Sequence, residues 1–461
     1  MDIQNEATTG ARAGRVAGLW SRNAWPTLRL AAPIMISRAG ITLLFVVDTI
    51  MVGQTKGIEL AFLGQALAIQ SILMLASIGL LQSSMILTSQ AFGAGDYLEC
   101  GRTLKAAIVA AALVGAAAAL LSLGVESILR LLGIDDDLAR GAGLVSLQMA
   151  WGMPGMLLYI ASNYFLESIK KPYFGLAIMA VCNVLNLALD GVLVAGWLGG
   201  PSGDAVTAIA TTSAVRWLAF ALALTAVLRF TDTAKYGLWQ ASGPVLPRLK
   251  KMGRLGAPIA VLLGADQAAF STMILMAGLM GTLTAAAQQL TTNLTGIVFM
   301  LIVGLSAATN IRVGHAVGAG DRLEAARAGW TGIVLAAGIT GLVAILFQIV
   351  PQQLASLYTS DQPVIAAASG LIMAAALTLV FDASATVTNG ALRGRGDTMT
   401  PALIHVSALW LVGVPAAWLV AFPLGGGAPG LFVGLAVGIC LSCLLLAVRF
   451  HKLSLRPVQR T

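Results

Sequence analysis

The chain is 461 residues long, with 58% in the hydrophobic set, only 10% charged and a formal net charge of +8. Soluble domains carry roughly 25% charged residues, so this deficit excludes a water-soluble protein, and the apolar content excludes a disordered one. Fifteen prolines and four cysteines are too few for a collagen-like or disulfide-stapled chain.

Residues 1–27 read as a polar tail. The apolar run behind it is too long for a signal peptide and lacks a small-residue cleavage site, so the pair is expected to be a retained signal-anchor. Twelve apolar runs follow, near 28–53, 61–83, 104–124, 143–166, 173–197, 206–230, 255–280, 286–311, 330–350, 364–388, 400–421 and 427–449. Each approaches or exceeds the ~20 residues that a rise of ~1.5 Å needs to cross ~30 Å of hydrocarbon. They are continuous and rich in Ala, Leu and Gly, whereas barrel strands would alternate over ~10 residues. The expected fold is therefore an all-α membrane protein. Residues 28–230 form a first six-helix bundle, 231–254 a cytoplasmic linker holding Pro244, Pro247 and the Lys250-Lys251 pair, 255–450 a second bundle, and 451–461 a cytoplasmic tail.

Basic residues fix the expected orientation, because short cytoplasmic loops retain Lys and Arg. With the N-terminus inside, the outer loops hold only Lys56, Arg130 and Arg140 of the 28 basic residues, and Arg38 and Arg216 fall within spans. Both termini are expected in the cytoplasm, with the positive charge serving orientation and attraction to an anionic leaflet. That leaves no reason to invoke nucleic acid.

A shift of 225 residues lays Leu30-Ala31-Ala32-Pro33-Ile34 on Leu255-Gly256-Ala257-Pro258-Ile259, and Gly93-Ala94-Gly95-Asp96 on Gly318-Ala319-Gly320-Asp321. Leu98-Glu99 and Arg102 then fall on Leu323-Glu324 and Arg327 at the same offset. Shared composition would explain common leucines but not a common GAGDxLE loop. Six spans per copy is even, so both copies enter from the same side, and the two pseudo-symmetric bundles are expected to be related by an axis along the membrane normal. Such a pair, rocking about a central cleft, suits a carrier better than a pore.

These residues resemble the multidrug and toxic compound extrusion (MATE) family. The resemblance spans about Leu30 to Phe450. It rests on Pro33 and Val47-Asp48-Thr49-Ile50-Met51-Val52-Gly53, on Gln90-Ala91-Phe92-Gly93-Ala94-Gly95-Asp96 and on Asn183-Val184-Leu185-Asn186-Leu187-Ala188-Leu189-Asp190. Arg312-Val313-Gly314 and Leu392-Arg393-Gly394 with Gly396-Asp397-Thr398 complete it. It implies a secondary active exporter of organic cations and toxic compounds in exchange for H⁺ or Na⁺, monomeric, in a cell inner membrane, with no cofactor beyond the coupling ion.

Four acids fall inside spans: Asp48, Asp190, Asp266 and Asp382. An ionised side chain at mid-bilayer costs about 2.5–3.5 kcal/mol, so such residues have a partner or a task. Asn186 precedes Asp190 by four residues and shares its helix face, where an amide can donate to a carboxylate or help ligate a cation. The resemblance implies that Asp48, Asn186 and Asp190 form a proton-coupling network and that Thr211 joins it. It further implies a cation site at Asp266 and Asp382, with Thr378 standing where the sodium-coupled branch often has a tyrosine. Under the shift Asp48 meets Met273 and Asp266 meets Ile41, so the copies have diverged at their acids. The plainer alternative is that the acids pair with Arg38 or Arg216 and hold helices together.

Pro33 and Pro258 occupy equivalent places and permit a kink, either a fixed packing feature or, as the resemblance implies for Pro33, a bend that follows protonation. Gln288, Gln289 and Asn293 line the cleft near Asp266 or serve as interhelical glue. The Cys440/Cys443 pair lacks further ligands for a metal, the GAGD loops lack a Walker lysine, and His315, His405 and His451 are too scattered for zinc. An intramembrane enzyme would need a convergent nucleophile and base that the chain lacks. A lipid-linked oligosaccharide flippase of the same superfamily is the alternative function, and it would be expected to line its cavity with more arginines than Arg38 and Arg216.

Overall fold

The computed structural model describes residues 2–53, 57–197, 203–240, 243–359 and 361–461, with side chains from residue 24 onward except that of Thr282. Lys56, counted above among the outer basic residues, lies outside the described residues. Within them the chain is helical and holds no strand. In order the helices are α1 (Asp2–Gly53), α2 (Gly57–Gly93), α3 (Tyr97–Ser122), α4 (Val125–Leu131), α5 (Asp136–Ser168), α6 (Tyr173–Leu193), α7 (Ala205–Phe230) and α8 (Leu246–Gly278). Then come α9 (Thr282–Gly318), α10 (Arg322–Ile349), α11 (Pro351–Ser356), α12 (Gln362–Gly394), α13 (Met399–Ser407), α14 (Val414–Ala421) and α15 (Gly427–Ser454). Among the described residues twelve stretches are long and apolar enough to cross a membrane, one per expected run, and α13 and α14 share one of them.

The helices outrun the apolar runs. The first is helical from Asp2, where a polar tail was expected, and α2 and α9 are each 37 residues long. Apolar composition marks where lipid begins and ends, whereas backbone hydrogen bonds carry a helix on into water until a cap stops it.

The repeat is visible in the helix ends. Adding 225 to the last residue of α1 gives the last residue of α8, Gly278, and both ends of α2 map onto both ends of α9. Each α2/α9 terminus is built the same way. Gly95 and Gly320 have φ of 76° in both copies, a conformation that favours glycine. Asp96 N–H donates to the Ala91 carbonyl and Asp321 N–H to Ala316, the 6→1 bond that closes a helix end. The same aspartates then cap the next helix by accepting from Glu99 and Glu324 N–H at 3.0 and 2.9 Å.

Where the copies part, the cause is a proline. The counterpart of α6 is α13 and α14 joined by a π segment at Ala408–Gly413, which ends two residues before Pro415. Proline offers no N–H and its ring clashes with the carbonyl four residues back, and one wide turn relieves both.

The chain packs as two compact units, one formed by Met1–Met35, Ile274–Arg395 and Ala408–Arg460, the other by Ile36–Met273, Gly396–Ser407 and Thr461. In the second unit α5 packs along α2, α3 and α7, and residues 155–169 are buried on every face, as a central helix requires. In the first unit α12 plays the same part against α9, α10 and α15, with 387–394 buried all round. Each unit also takes in helix from the other sequence copy. In the second, α2 crosses α8 so closely at Gly79 that a Cβ there would stand 2.8 Å from Ala260 Cα. In the first, α9 crosses α1 at Gly304, where a Cβ would stand 2.5 Å from Met35 Cα. The 225-residue shift carries Gly79 to Gly304 and Met35 to Ala260, so one close crossing is built twice.

Of residues 231–254, expected as a linker, those described divide between a loop and the start of α8, and both are anchored within the second unit. Tyr236 is buried with its ring 5.4 Å from Phe165 and 6.0 Å from Tyr97, Lys105 Nζ donates to the Gly237 carbonyl at 3.1 Å, and Arg248 forks onto Glu99 at 3.0 and 2.9 Å.

Candidate functional site

On α6 the buried positions include Cys182, Asn186 and Asp190, a stripe at four-residue spacing, while Val184, Leu187 and Leu193 on other faces are exposed. That amphipathicity turns the two polar groups of an apolar helix inward. They meet Asp48 of α1 and the Thr211-Thr212 step of α7, whose start is fixed by Asp204 capping the Thr207 N–H at 2.8 Å.

Asp48 is the focus of the cluster and is 1% exposed. Thr212 Oγ1 lies 2.7 and 2.9 Å from its two carboxyl oxygens and donates its one proton to either. Asn186 Nδ2 donates to Thr212 Oγ1 at 2.9 Å and reaches Asp48 Oδ1 at 3.4 Å. Asp190, fully buried, lies within Coulombic range of Asp48. Both of its carboxyl oxygens and the Asn186 carbonyl oxygen have no hydrogen-bond donor among the described residues. Three buried acceptors without donors are costly unless something positive joins them.

The nearby cation is Arg216, buried, with its guanidinium 5.4 Å over the Phe45 ring and within Coulombic range of Asp48. With both carboxyls ionised, two negative charges against one guanidinium would leave this buried cluster with one negative charge. Binding a single H⁺ or Na⁺ brings it to zero and supplies the positive group the orphaned oxygens lack. Oxygens from Asp48, Asp190, Asn186 and Thr212 are the ligand type a hard cation prefers, and a carboxyl group suits a proton equally.

Thr211, expected in the network, donates to its own backbone at the Thr207 carbonyl, 3.0 Å, and lies beside Asp190; the hydroxyl that reaches Asp48 belongs to Thr212. The two are neighbours in the sequence, and only the helix register tells them apart.

Of the two arginines set against the acids, Arg38 has another partner. Its NH2 group lies 3.0 Å from both oxygens of Glu167, which also accepts from Asn163 Nδ2 at 2.7 Å, and its guanidinium sits 5.0 Å from the Tyr164 ring centre. Glu167 lies one residue beyond the apolar run 143–166 and so escaped the count of intramembrane acids. Asn163, four residues before it, was the available signal, since it repeats the spacing of Asn186 and Asp190.

Asp266 accepts from, or donates to, His405 Nε2 at 2.9 Å, a residue set aside above for want of zinc spacing. A single histidine in an apolar span, like a single acid, was the sign that it had a partner. Asp382, in the first unit, is half-buried and within Coulombic range of Cys443. Thr378 donates to the Ala375 carbonyl at 2.7 Å. Gln288 is buried with its side-chain oxygen lacking a donor, and Gln289 donates to Asn293 at 3.3 Å on the exposed face of α9. Pro33 and Pro258 both sit inside unbroken helices.

Comparisons with known proteins agree with this architecture. A family profile described as MatE matches residues 33–192 and 258–419, which is most of the chain and follows its repeat. The chain is 32% identical over 435 residues to the "Probable multidrug resistance protein NorM" of Caulobacter vibrioides, covering 93% of this chain and 91% of that one. To the "Multidrug resistance protein MdtK" of Pectobacterium atrosepticum it is 28% identical over 438 residues, covering 94% and 96%. Among solved structures, the eukaryotic MATE transporter AtDTX14 superimposes with a TM-score of 0.86 at 21% identity, covering 95% of this chain and 98% of that one. The Vibrio cholerae MATE transporter VcmN in its bent form gives 0.81 at 20% identity, covering 95% and 98%. These likenesses show the fold.

Proposed function

The chain belongs to the MatE family, and from that premise we propose that it is a secondary active multidrug efflux transporter, exchanging organic cations and other toxic compounds for H⁺ or Na⁺ by alternating access. The observation that carries this reading is the buried cluster of Asp48, Asp190, Asn186 and Thr212, in which two carboxyls have one hydroxyl donor between them and three oxygens lack donors. Binding one coupling cation neutralises it, and releasing that cation restores a charge that an organic cation can offset. A group that both ions cannot satisfy at once exchanges one for the other. The names of the relatives, multidrug resistance proteins, support the substrate class.

The protein works in a cell inner membrane as a monomer, with both termini cytoplasmic, on the strength of the Lys and Arg asymmetry of its loops. Asp266 and Asp382 serve the coupling ion, and Gln288, Gln289 and Asn293 the substrate, as second contributions to the same exchange. The chain carries transport and no catalysis, and it needs no cofactor beyond the coupling ion. The flippase alternative gains nothing, since Arg38 is engaged by Glu167 and Arg216 lies over Phe45 beside Asp48.

Dye accumulation in everted vesicles, driven by ΔpH alone and by a Na⁺ gradient alone, tests the proposal. Accumulation under at least one gradient and none without either is the expected result; accumulation driven equally well with no ion gradient contradicts it.

A further inference from the structure

The reading of Asp266 as a coupling acid leaves its buried partner unexplained. His405 is in α13 and Asp266 in α8, yet both belong to the second compact unit, and their side chains are 5% and 18% exposed. Nε2 of the imidazole lies 2.9 Å from Oδ1 of the carboxyl, a distance at which one proton is shared directly between them.

We propose that His405 makes the Asp266 site proton-selective, so that the two side chains together take up one proton and exclude Na⁺. This rests on the reading of the chain as a cation-coupled transporter and names the ion used at one of its acids.

The argument is one of donors and charge. A hard cation such as Na⁺ needs several oxygen ligands, and here one carboxyl oxygen is covered by the edge of an imidazole ring. A neutral imidazole donating from Nε2 points the positive end of an N–H at the place where the metal ion would sit, and an imidazolium repels it outright. A proton meets no such obstacle. With the histidine neutral and Asp266 ionised the pair carries one negative charge. One proton from water, added to the carboxyl with Nε2 accepting, brings the pair to zero, and no bond between heavy atoms changes. The partly exposed carboxyl gives the proton its way in, and the buried ring keeps the pair together.

The other titratable groups on the neighbouring helices are few. The apolar part of α8 beyond Arg254 holds Asp266 alone, and α13 holds His405 alone. On α2, which crosses α8 at Gly79, the stretch from Leu60 to Gly93 holds none. The contrast with Asp48 is chemical. The groups that hydrogen-bond to it are a hydroxyl and an amide, both able to turn an oxygen toward a metal ion, which imidazole cannot do.

The test uses the full-length purified protein. In an Asp48→Asn background, Na⁺ is expected to leave thermal unfolding unchanged while His405 is present, and to raise the midpoint by about 4 °C once His405→Ala frees the carboxyl. In proteoliposomes, His405→Gln retains a donor but cannot be protonated, and is expected to lose about tenfold or more of ΔpH-driven dye transport. Adding Asp266→Asn is expected to take away nothing further, as two members of one pair require. The proposal is overturned by Na⁺ stabilisation with His405 in place, by no gain of Na⁺ response in the alanine variant, or by a glutamine variant that transports like the wild type. The stability readout needs no transport, so a wild-type protein that moved no dye would count against the functional reading alone.

Discussion

At the scale of single residues the cluster around Asp48 is a problem in charge balance. Its carboxyl takes the Thr212 proton and the edge of Asn186, while Asp190 lies beside Asp48, Thr211 and Asn186 with no donor reaching its oxygens. Thr212→Val removes that hydroxyl at nearly constant volume and leaves a buried carboxyl without its donor, a loss of about 1–3 kcal/mol. It is expected to lower dye transport by about tenfold or more, whereas Thr211→Val should stay within about threefold of wild type, both read in proteoliposomes at equal protein. The Arg38–Glu167 pair has a different character, because both groups are buried and each satisfies the other. Glu167→Gln leaves an uncompensated guanidinium in the core and is expected to cost about 3–5 kcal/mol, seen as a lower unfolding midpoint. Arg38→Met combined with Glu167→Met should recover most of that loss, since the two effects couple through one contact. The amide and the two acids of the cluster could be read from the sequence because polar atoms in an apolar span are conspicuous. Thr212 could not, because it needs the helix register, and Glu167, just past the edge of its apolar run, was marked only by the Asn163 spacing.

Helix elements repeat their construction to the residue. Both GAGD turns close one helix and cap the next, and the same close crossing is made at Gly79 and at Gly304. A side chain at either glycine would enter the backbone of the crossing helix, at Ala260 or Met35. Gly79→Leu and Gly304→Leu are therefore each expected to destabilise by about 1–3 kcal/mol or more through overpacking. The loss should be visible as reduced monodisperse yield, while Gly253→Leu, where no atom stands within 4 Å, should be tolerated. Twelve spans and their order were legible because a run of about 20 apolar residues has few other uses. Helix ends were not, since a cap such as Asp96 and its Glu99 lies outside the apolar run. Nor was the π segment at Ala408–Gly413, which answers the geometry around Pro415 and leaves no mark on hydropathy.

For the whole molecule, duplication gives two similar scaffolds and divergence gives them different acids. The cluster at Asp48 has no counterpart acid at Met273, and Asp266 none at Ile41, so one scaffold design carries two kinds of site. The proposed orientation rests on loop charge and can be checked directly. In a variant whose four native cysteines are replaced, Arg140→Cys is expected to react with an impermeant maleimide added outside intact cells, and Lys452→Cys only after the membrane is opened; the reverse pattern would invert the topology. The most direct test of the central claim is gradient-driven dye transport by purified wild-type, Asp48→Asn and Asp190→Asn proteins under the ion gradient that drives the wild type. Both variants are expected to fall to the level of empty vesicles, because an amide cannot give up and regain the charge. Wild-type rates in both would show that the buried carboxyls do not couple the exchange.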